Sequence, residues 1–459
     1  MKRVLLICGA VALSACAANA PPEAVPRVVL SGVTVIDGTG APPSAIMEVV
    51  IEGNRIAAIH RSRRGGYPPG TPVLDLPGRY VIPGLIDTHA HVTVLRWYPD
   101  GSGSRRGVYD RGVSARALRL LLAHGVTTVR NPSAPAADGV ALREAVRAGE
   151  VVGPRILTSG EHLADPRLSE EEIRAEVRRQ VALGVDMIKV YGNLPPALVG
   201  AVIEEAHSHR IPVVGHLQRT TWTEAARMGI DAITHGSPWS PEYLPESRRA
   251  GYRQTLLGRL DWVEWVELDG PEIQEMIRLL VERRVPVDPT LIAYRTKFFG
   301  NDPHYREHPE HHLIPEIVED WRGGTHTDDW TAADNARARR LWPKLAELVR
   351  RYHAAGVLLS AGSDMPVPWV IPGVSLHEEL ELLVAAGIPA LEVLGIATRS
   401  GAEALGLLGE VGTIEVGKRA DLLVLSADLV AEIRNTRSID YVIQGGRILR
   451  PADLLRGSP

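Results

Sequence analysis

Val81-Ile82-Pro83-Gly84-Leu85-Ile86-Asp87-Thr88-His89-Ala90-His91 is the stretch on which the fold turns. Its apolar run, broken once at Pro83-Gly84, reads as a buried strand that ends in a histidine pair. Strand residues two apart project to the same side, so His89 and His91 can converge on one ion. The spacing alone carries little weight, because 16 histidines in 459 residues give roughly half of one such pair by chance. The chain supplies its own counterexample in His207-Ser208-His209, which closes a helical stretch where residues two apart diverge. What distinguishes His89 and His91 is their place at the end of a strand.

Downstream, strand patterns recur at Leu85 to Val92, Val126 to Arg130, Arg155 to Ser159, Val185 to Tyr191, Pro212 to Leu217, Asp231 to His235, Val285 to Leu291 and Val357 to Ser363. Helical stretches such as Glu170 to Leu183 and Pro196 to Ser208 separate them. Eight strands alternating with helices predict an α/β fold, a TIM (β/α)8 barrel over residues 83–404. Before and after it, alternating segments punctuated by Asp37-Gly38, Gly53-Asn54, Gly417 and Gly445-Gly446 predict a small β-sandwich built from both chain ends, residues 28–82 and 405–459. The longest connections, Ser237 to Gly270 and Ile292 to Thr331, carry many Trp, Tyr and His residues, as substrate-facing loops do.

The composition is 45% hydrophobic and 23% charged, enough apolar material for a large core, and the net charge of -4 offers no basic face for nucleic acid. Met1-Lys2-Arg3 followed by apolar Val4 to Ala15 is too short to span a bilayer and reads as an export signal over residues 1–15. Leu13-Ser14-Ala15-Cys16 resembles a lipoprotein cleavage motif, which makes Cys16 the lipidated residue. Residues 16–27 then form an Ala- and Pro-rich tether. The expectation is an exported protein, anchored by lipid to a bacterial cell envelope and facing the periplasm. Cys8 and Cys16 are the only cysteines, so a metal must be held by His, Asp, Glu or Lys chemistry. The oligomeric state stays open, a homo-oligomer included.

Further ligand-type residues stand at corresponding strand ends: Lys189, His216, His235 and Asp364. Lys189 lies in the buried-type strand Asp186-Met187-Ile188-Lys189-Val190, and only Lys2, Lys297, Lys344 and Lys418 accompany it in the chain. Burial lowers the pKa of an ammonium, and the neutral amine can add carbon dioxide to give a carbamate able to bridge two metals. The alternative is an ammonium that reaches solvent at the strand end.

With these residues in view, the chain resembles the amidohydrolase superfamily, in its imidazolonepropionase-like and Xaa-Pro dipeptidase (prolidase) branch with a carboxylated lysine. The resemblance rests on the opening stretch together with Gly125-Val126-Thr127-Thr128-Val129-Arg130, Ile188-Lys189-Val190, Val213-Val214-Gly215-His216, Ile233-Thr234-His235-Gly236, Ala361-Gly362-Ser363-Asp364 and Gly412 to Leu422. It implies two divalent metal ions, zinc by preference with Mn, Co or Fe also suited. His89, His91 and Asp364 hold one, His216 and His235 the other, and carboxylated Lys189 bridges them. It also implies a metal-bridging hydroxide as nucleophile and Asp364 as the group that relays its proton to the leaving amine.

Asn131 stands where many relatives have Asp, at a position that is not a ligand. The Leu217-Gln218-Arg219 sequence after His216 lacks the Glu usual in deaminases. The expected reaction is therefore hydrolysis of a C–N amide bond in a dipeptide, an N-acyl amino acid or a cyclic amide. His162, Tyr191, Tyr294 and Arg295 are candidate substrate contacts. The competing expectations are a non-catalytic lipoprotein binding module and a lactonase or phosphotriesterase-like hydrolase.

Overall fold

The computed structural model describes residues 27–62, 66–67, 69–99, 105–325 and 327–456. The signal segment, Cys16 and all of the tether except Arg27 lie outside them. Among the described residues no helix is long and apolar enough to cross a membrane.

Both chain ends meet in one eight-stranded mixed sheet. Its hinge is the short strand Tyr80–Pro83, which pairs in parallel with Arg27–Val35 (Val35 opposite Val81) and antiparallel with Leu422–Leu425 (Ile82 opposite Leu423). This sheet has its own core, in which Leu30, Val49, Ile51 and Val81 from one end pack with Leu422, Val424 and Ile443 from the other. The pairing runs as one continuous sheet.

From Pro83 the chain passes through Gly84 into the strand Leu85–Asp87. A side chain at Gly84 would lie 2.2 Å from Thr127 Oγ1, so only glycine lets the two segments approach this closely. The rest of the middle is mixed α/β. Leu85–Asp87, Val126–Asn131 and Arg155–Thr158 form one parallel run, and Ile188–Gly192, Val213–Leu217, Ala232–Thr234 and Val287–Asp288 form another. Single parallel bridges join the runs, Ser159 to Met187 and, through the segment around 359–365, Val287 to Leu359 and Ala90 to Met365. Every residue of Val126–Asn131 and Val213–Leu217 is buried, the signature of strands covered on both faces.

The intervening helices are well delimited. Glu170–Leu183 starts at a Ser169/Glu172 capping box and stops at left-handed Gly184.

Leu85 to Val92 forms a ladder only at Leu85–Asp87, with a single bridge at Ala90, so His89 and His91 follow the strand rather than lie on it, and two further expected strands are corrected. Val285 to Leu291 forms strand only at Val287–Asp288, because Thr290 turns left-handed (φ 46°) and Leu291 already begins a helix to Phe298. Val357 to Ser363 forms no ladder, only the bridges at Leu359 and Met365, and the following Asp364 is left-handed at φ 62°. In both places the backbone leaves the extended region, where ladder bonds are made.

Candidate metal centre

The strand-end residues converge. His89, two residues past the end of Leu85–Asp87, and His91, two residues further on, aim their Nε2 atoms at a single oxygen, Asp364 Oδ1, at 3.2 and 3.3 Å. His89, His235 and Asp364 bring their ligand atoms within 4.8 Å of one another. Ring centroids step from His91 to His89 (5.3 Å), His235 (5.0 Å) and His216 (4.3 Å), so the four imidazoles line one arc of the same cavity. Lys189 lies on that cavity too, buried, its Nζ donating to Thr234 Oγ1 at 3.0 Å.

Each imidazole is oriented from behind. His89 Nδ1 is 2.8 Å from Asp288 Oδ1, which keeps Nδ1 protonated and turns Nε2 toward the cavity and Asp364. Asp288 is held in turn by Arg130, whose Nη2 donates at 2.5 Å, and both side chains are essentially excluded from water. His235 Nδ1 meets Thr290 Oγ1 at 2.8 Å. Asp87 accepts from the His89 and Ser363 amides and from Ser363 Oγ, which ties the first histidine to the segment that carries Asp364.

His235 (φ 77°) and Asp364 (φ 62°) both adopt left-handed backbone, a conformation that costs of order 1–3 kcal/mol for a residue with a side chain and concentrates at functional sites.

The electrostatics suit a cation. Burial pushes His216 and His235 well below the ordinary imidazole value, so both are neutral acceptors. Burial also brings Lys189 down to about 7, with Asp288 opposing and Arg130 reinforcing the shift. For Asp364 burial works against ionisation, but the charge of His89 and the hydrogen bonds of His89 and His91 outweigh it and hold the carboxylate well below its ordinary range. Imidazole nitrogens and a carboxylate oxygen facing one another at 3.2–3.3 Å, with no thiol among them, form a donor set that fits a divalent metal ion.

The cavity, of about 700 Å³, also receives His162, Tyr191 and Tyr294. His162 Nδ1 is 3.0 Å from Ser133 Oγ, its ring lies against Tyr191 (4.8 Å), and Tyr191 lies against His216 (4.4 Å). Tyr294 accepts from Trp239 Nε1 at 3.1 Å.

Arg295 is a correction. It does not line the cavity but stacks on Phe299, 3.4 Å from the ring centroid, and faces Trp342. The segment is a helix, so Tyr294 and Lys297, three apart, share the cavity face while Arg295 is turned away. His207 and His209 lie outside the site, their Nε2 atoms paired with Asp231 and Glu205. Asn131 is structural, its side chain bonding Val92 N, Thr93 Oγ1 and Thr158 Oγ1.

Sequence reading missed Asp288, Thr290, Arg259 and Lys297. A signal existed for the first: Val285-Pro286-Val287-Asp288 is an apolar run ending in an acid, as the runs before His216 and His235 end in candidate ligands. None existed for Arg259, which reaches the cavity from the helix Leu256–Trp265 inside a long connection.

The sequence profile of the amidohydrolase family matches residues 80–449. The imidazolonepropionase of Maricaulis maris (strain MCS10) is 27% identical over 78% of this chain and 82% of its own length. Among solved structures, a Xaa-Pro dipeptidase with bound methionine superposes with a TM-score of 0.69 at 20% identity, covering 92% of this chain and 100% of that one. The ochratoxinase of A. niger superposes with a TM-score of 0.67 at 17% identity, covering 93% and 96%. The match from Tyr80 to Leu449, together with a His/Asp site of metal-binding geometry, places the chain in the amidohydrolase family, as a metal-dependent hydrolase acting on carbon–nitrogen bonds.

Proposed function

We propose that this protein hydrolyses the C–N amide bond of a dipeptide, an N-acyl amino acid or a cyclic amide at a centre of two divalent ions. His89, His91 and Asp364 would hold one ion and His216 and His235 the other, with Lys189, carboxylated on Nζ, between them. When bound, such ions acidify a water molecule near neutral pH and polarise the scissile carbonyl. Asp364 takes the proton of the attacking water on its carboxylate and delivers it to the leaving nitrogen. Asp288 keeps His89 in the tautomer protonated on Nδ1, and Thr290 holds the orientation of the His235 ring. Tyr191 and His162 form the wall against which the substrate lies.

The single observation that carries this reading is Lys189. It is a buried lysine brought down to about 7, its Nζ bonded among the described residues only to a threonine hydroxyl and opening on the same cavity as His89, His91, His216, His235 and Asp364.

The architecture we infer is a (β/α)8 barrel over residues 83–404, supported by the parallel bridges at Ser159, Leu359 and Met365 that link the two runs of strands. On it sits a small β domain from residues 28–82 and 405–459, sandwich-like in enclosing a core of its own. Residues 1–15 are read as an export signal and Cys16 as a lipid anchor in the cell envelope.

The test is metal content and turnover on the purified signal-free protein with bicarbonate present, using a panel of dipeptides, N-acyl amino acids and cyclic amides. About two ions per chain and amide turnover are expected. A chain that binds no metal, or that turns over lactones or phosphotriesters and no amide, overturns the reading.

A further inference from the structure

The cavity beside the metal centre is divided into two chambers of opposite character. In the main chamber Arg259 and Lys297 face the site. The guanidinium of Arg259 lies over the Trp239 ring at 5.4 Å and the ammonium of Lys297 beside the Tyr294 ring at 5.8 Å. Neither is hydrogen-bonded or ion-paired to a described residue. Asp364 is the one carboxylate among the described residues lining this chamber, and two cations against it leave a local excess of positive charge, which an anionic ligand would neutralise.

The second chamber, of about 480 Å³, adjoins the first at His91, Ser133 and Val367. Its walls are mainly apolar, with Val94, Leu95, Ile317, Trp321 and Pro366. Among the described residues lining the two chambers the carboxylates are Asp364, committed to His89 and His91, and Asp320, already bonded by Arg96 Nε at 2.6 Å. Among these residues no acid is left over to receive an ammonium. A free dipeptide would carry one at the end opposite its carboxylate, where it would be desolvated against apolar walls.

Resting on the hydrolase reading above, we propose that the substrate is an N-acylated α-amino acid, its carboxylate bound by Arg259 and Lys297 and its apolar acyl group seated in the chamber lined by Ile317 and Trp321. The scissile amide then lies at the metal centre between the chambers. Hydrolysis adds water across that bond, the hydroxyl going to the acyl carbon and the proton to nitrogen, and releases an apolar carboxylic acid and a free amino acid.

The test compares N-benzoyl-L-leucine, its carboxamide N-benzoyl-L-leucinamide and the free dipeptide leucyl-leucine on the metal-loaded protein. The blocked acid is expected to exceed both others in kcat/KM by about 100-fold, since a site built for a charged group rejects analogues lacking it. Arg259→Met and Lys297→Met should each cost about 10-fold or more on the acid while leaving the carboxamide within about 3-fold, and Arg259→Lys should recover part of the loss. Ile317→Trp should shift preference from benzoyl to acetyl substrates.

Calorimetry on the metal-free protein gives a readout independent of turnover: binding of the blocked acid, none of the carboxamide, and loss of binding in the double variant. Equal handling of acid and carboxamide, preference for leucyl-leucine, or variants that depress both substrates alike would overturn the assignment. Acid-selective binding without cleavage of any amide would instead remove the hydrolase reading and leave the anion site standing.

Discussion

Replacing Asp288 by asparagine keeps the shape of the side chain and removes its charge, which separates two roles that the carboxylate combines. Its Oδ1 holds His89 Nδ1 at 2.8 Å and its Oδ2 receives Arg130 Nη2 at 2.5 Å, with Asp288 fully buried and Arg130 nearly so. Removing one partner of a buried ion pair strands the other, at a cost of about 3–5 kcal/mol. An amide oxygen still accepts one hydrogen bond, so the lower end of that range is expected. For the histidine, loss of the orienting carboxylate should weaken metal binding by about 10- to 100-fold, or about 1.4–2.7 kcal/mol. At Lys189 the substitution acts in the opposite sense, and titrating metal in carbon-dioxide-free buffer separates the two effects. Asp288 raises the Lys189 pKa, so the variant amine is neutral over a wider pH range and better able to take up carbon dioxide. The assays are urea unfolding of the metal-free proteins and metal titration against a chromophoric chelator. A full loss of stability with metal affinity unchanged within about twofold would show Asp288 to be only the counterion of Arg130 and would refute its role in orienting His89.

Glu379 should make stability pH-dependent in a defined direction. Burial lifts its carboxyl from an ordinary 4.5 to about 8, against the lowering effect of its backbone bonds, and Oε1 has no partner. Folding therefore takes up a proton between those values. The stabilisation is complete below about 4.5 and is lost as pH rises through about 8. Glu379→Gln should flatten that decline in urea midpoints measured from pH 6 to 9, and parallel curves would contradict it. Gly362→Ala would set a methyl 2.8 Å from His89 Cβ and 3.3 Å from Asp288 Cβ, so the His89 backbone must shift. Metal affinity should fall with little change in far-UV circular dichroism, and unchanged affinity would show that the histidine tolerates displacement. Cys16→Ser expressed with its signal should move the protein from the membrane to the soluble fraction, whereas retention in the membrane would remove the lipid anchor.

Much of the site was legible because its residues sit where local periodicity is strongest. His89, His91, Lys189, His216 and His235 each follow or occupy a run of buried β-type residues, and the period-2 rule orients Lys189 and His216, which lie within their strands. The same rule failed where the chain stops being a strand. Val357 to Ser363 reads as apolar strand, yet the segment forms only isolated bridges before Asp364 turns left-handed, a conformation no pattern in the neighbouring residues announces. Arg295 was chosen as though it followed a strand, and the early start of its helix handed the cavity face to Tyr294 and Lys297.

The sequence by itself determined the family and the candidate residues at or just beyond the strand ends, since these depend on side-chain type and on spacing along one element. Only the tertiary structure decided what surrounds them. Asp288 reaches His89 across 199 positions of chain, Arg259 and Lys297 arrive from separate connections, and the apolar chamber joins Val94 to Trp321. Their meeting follows from the packing of distant elements, and packing is set by the whole core rather than by any window of sequence.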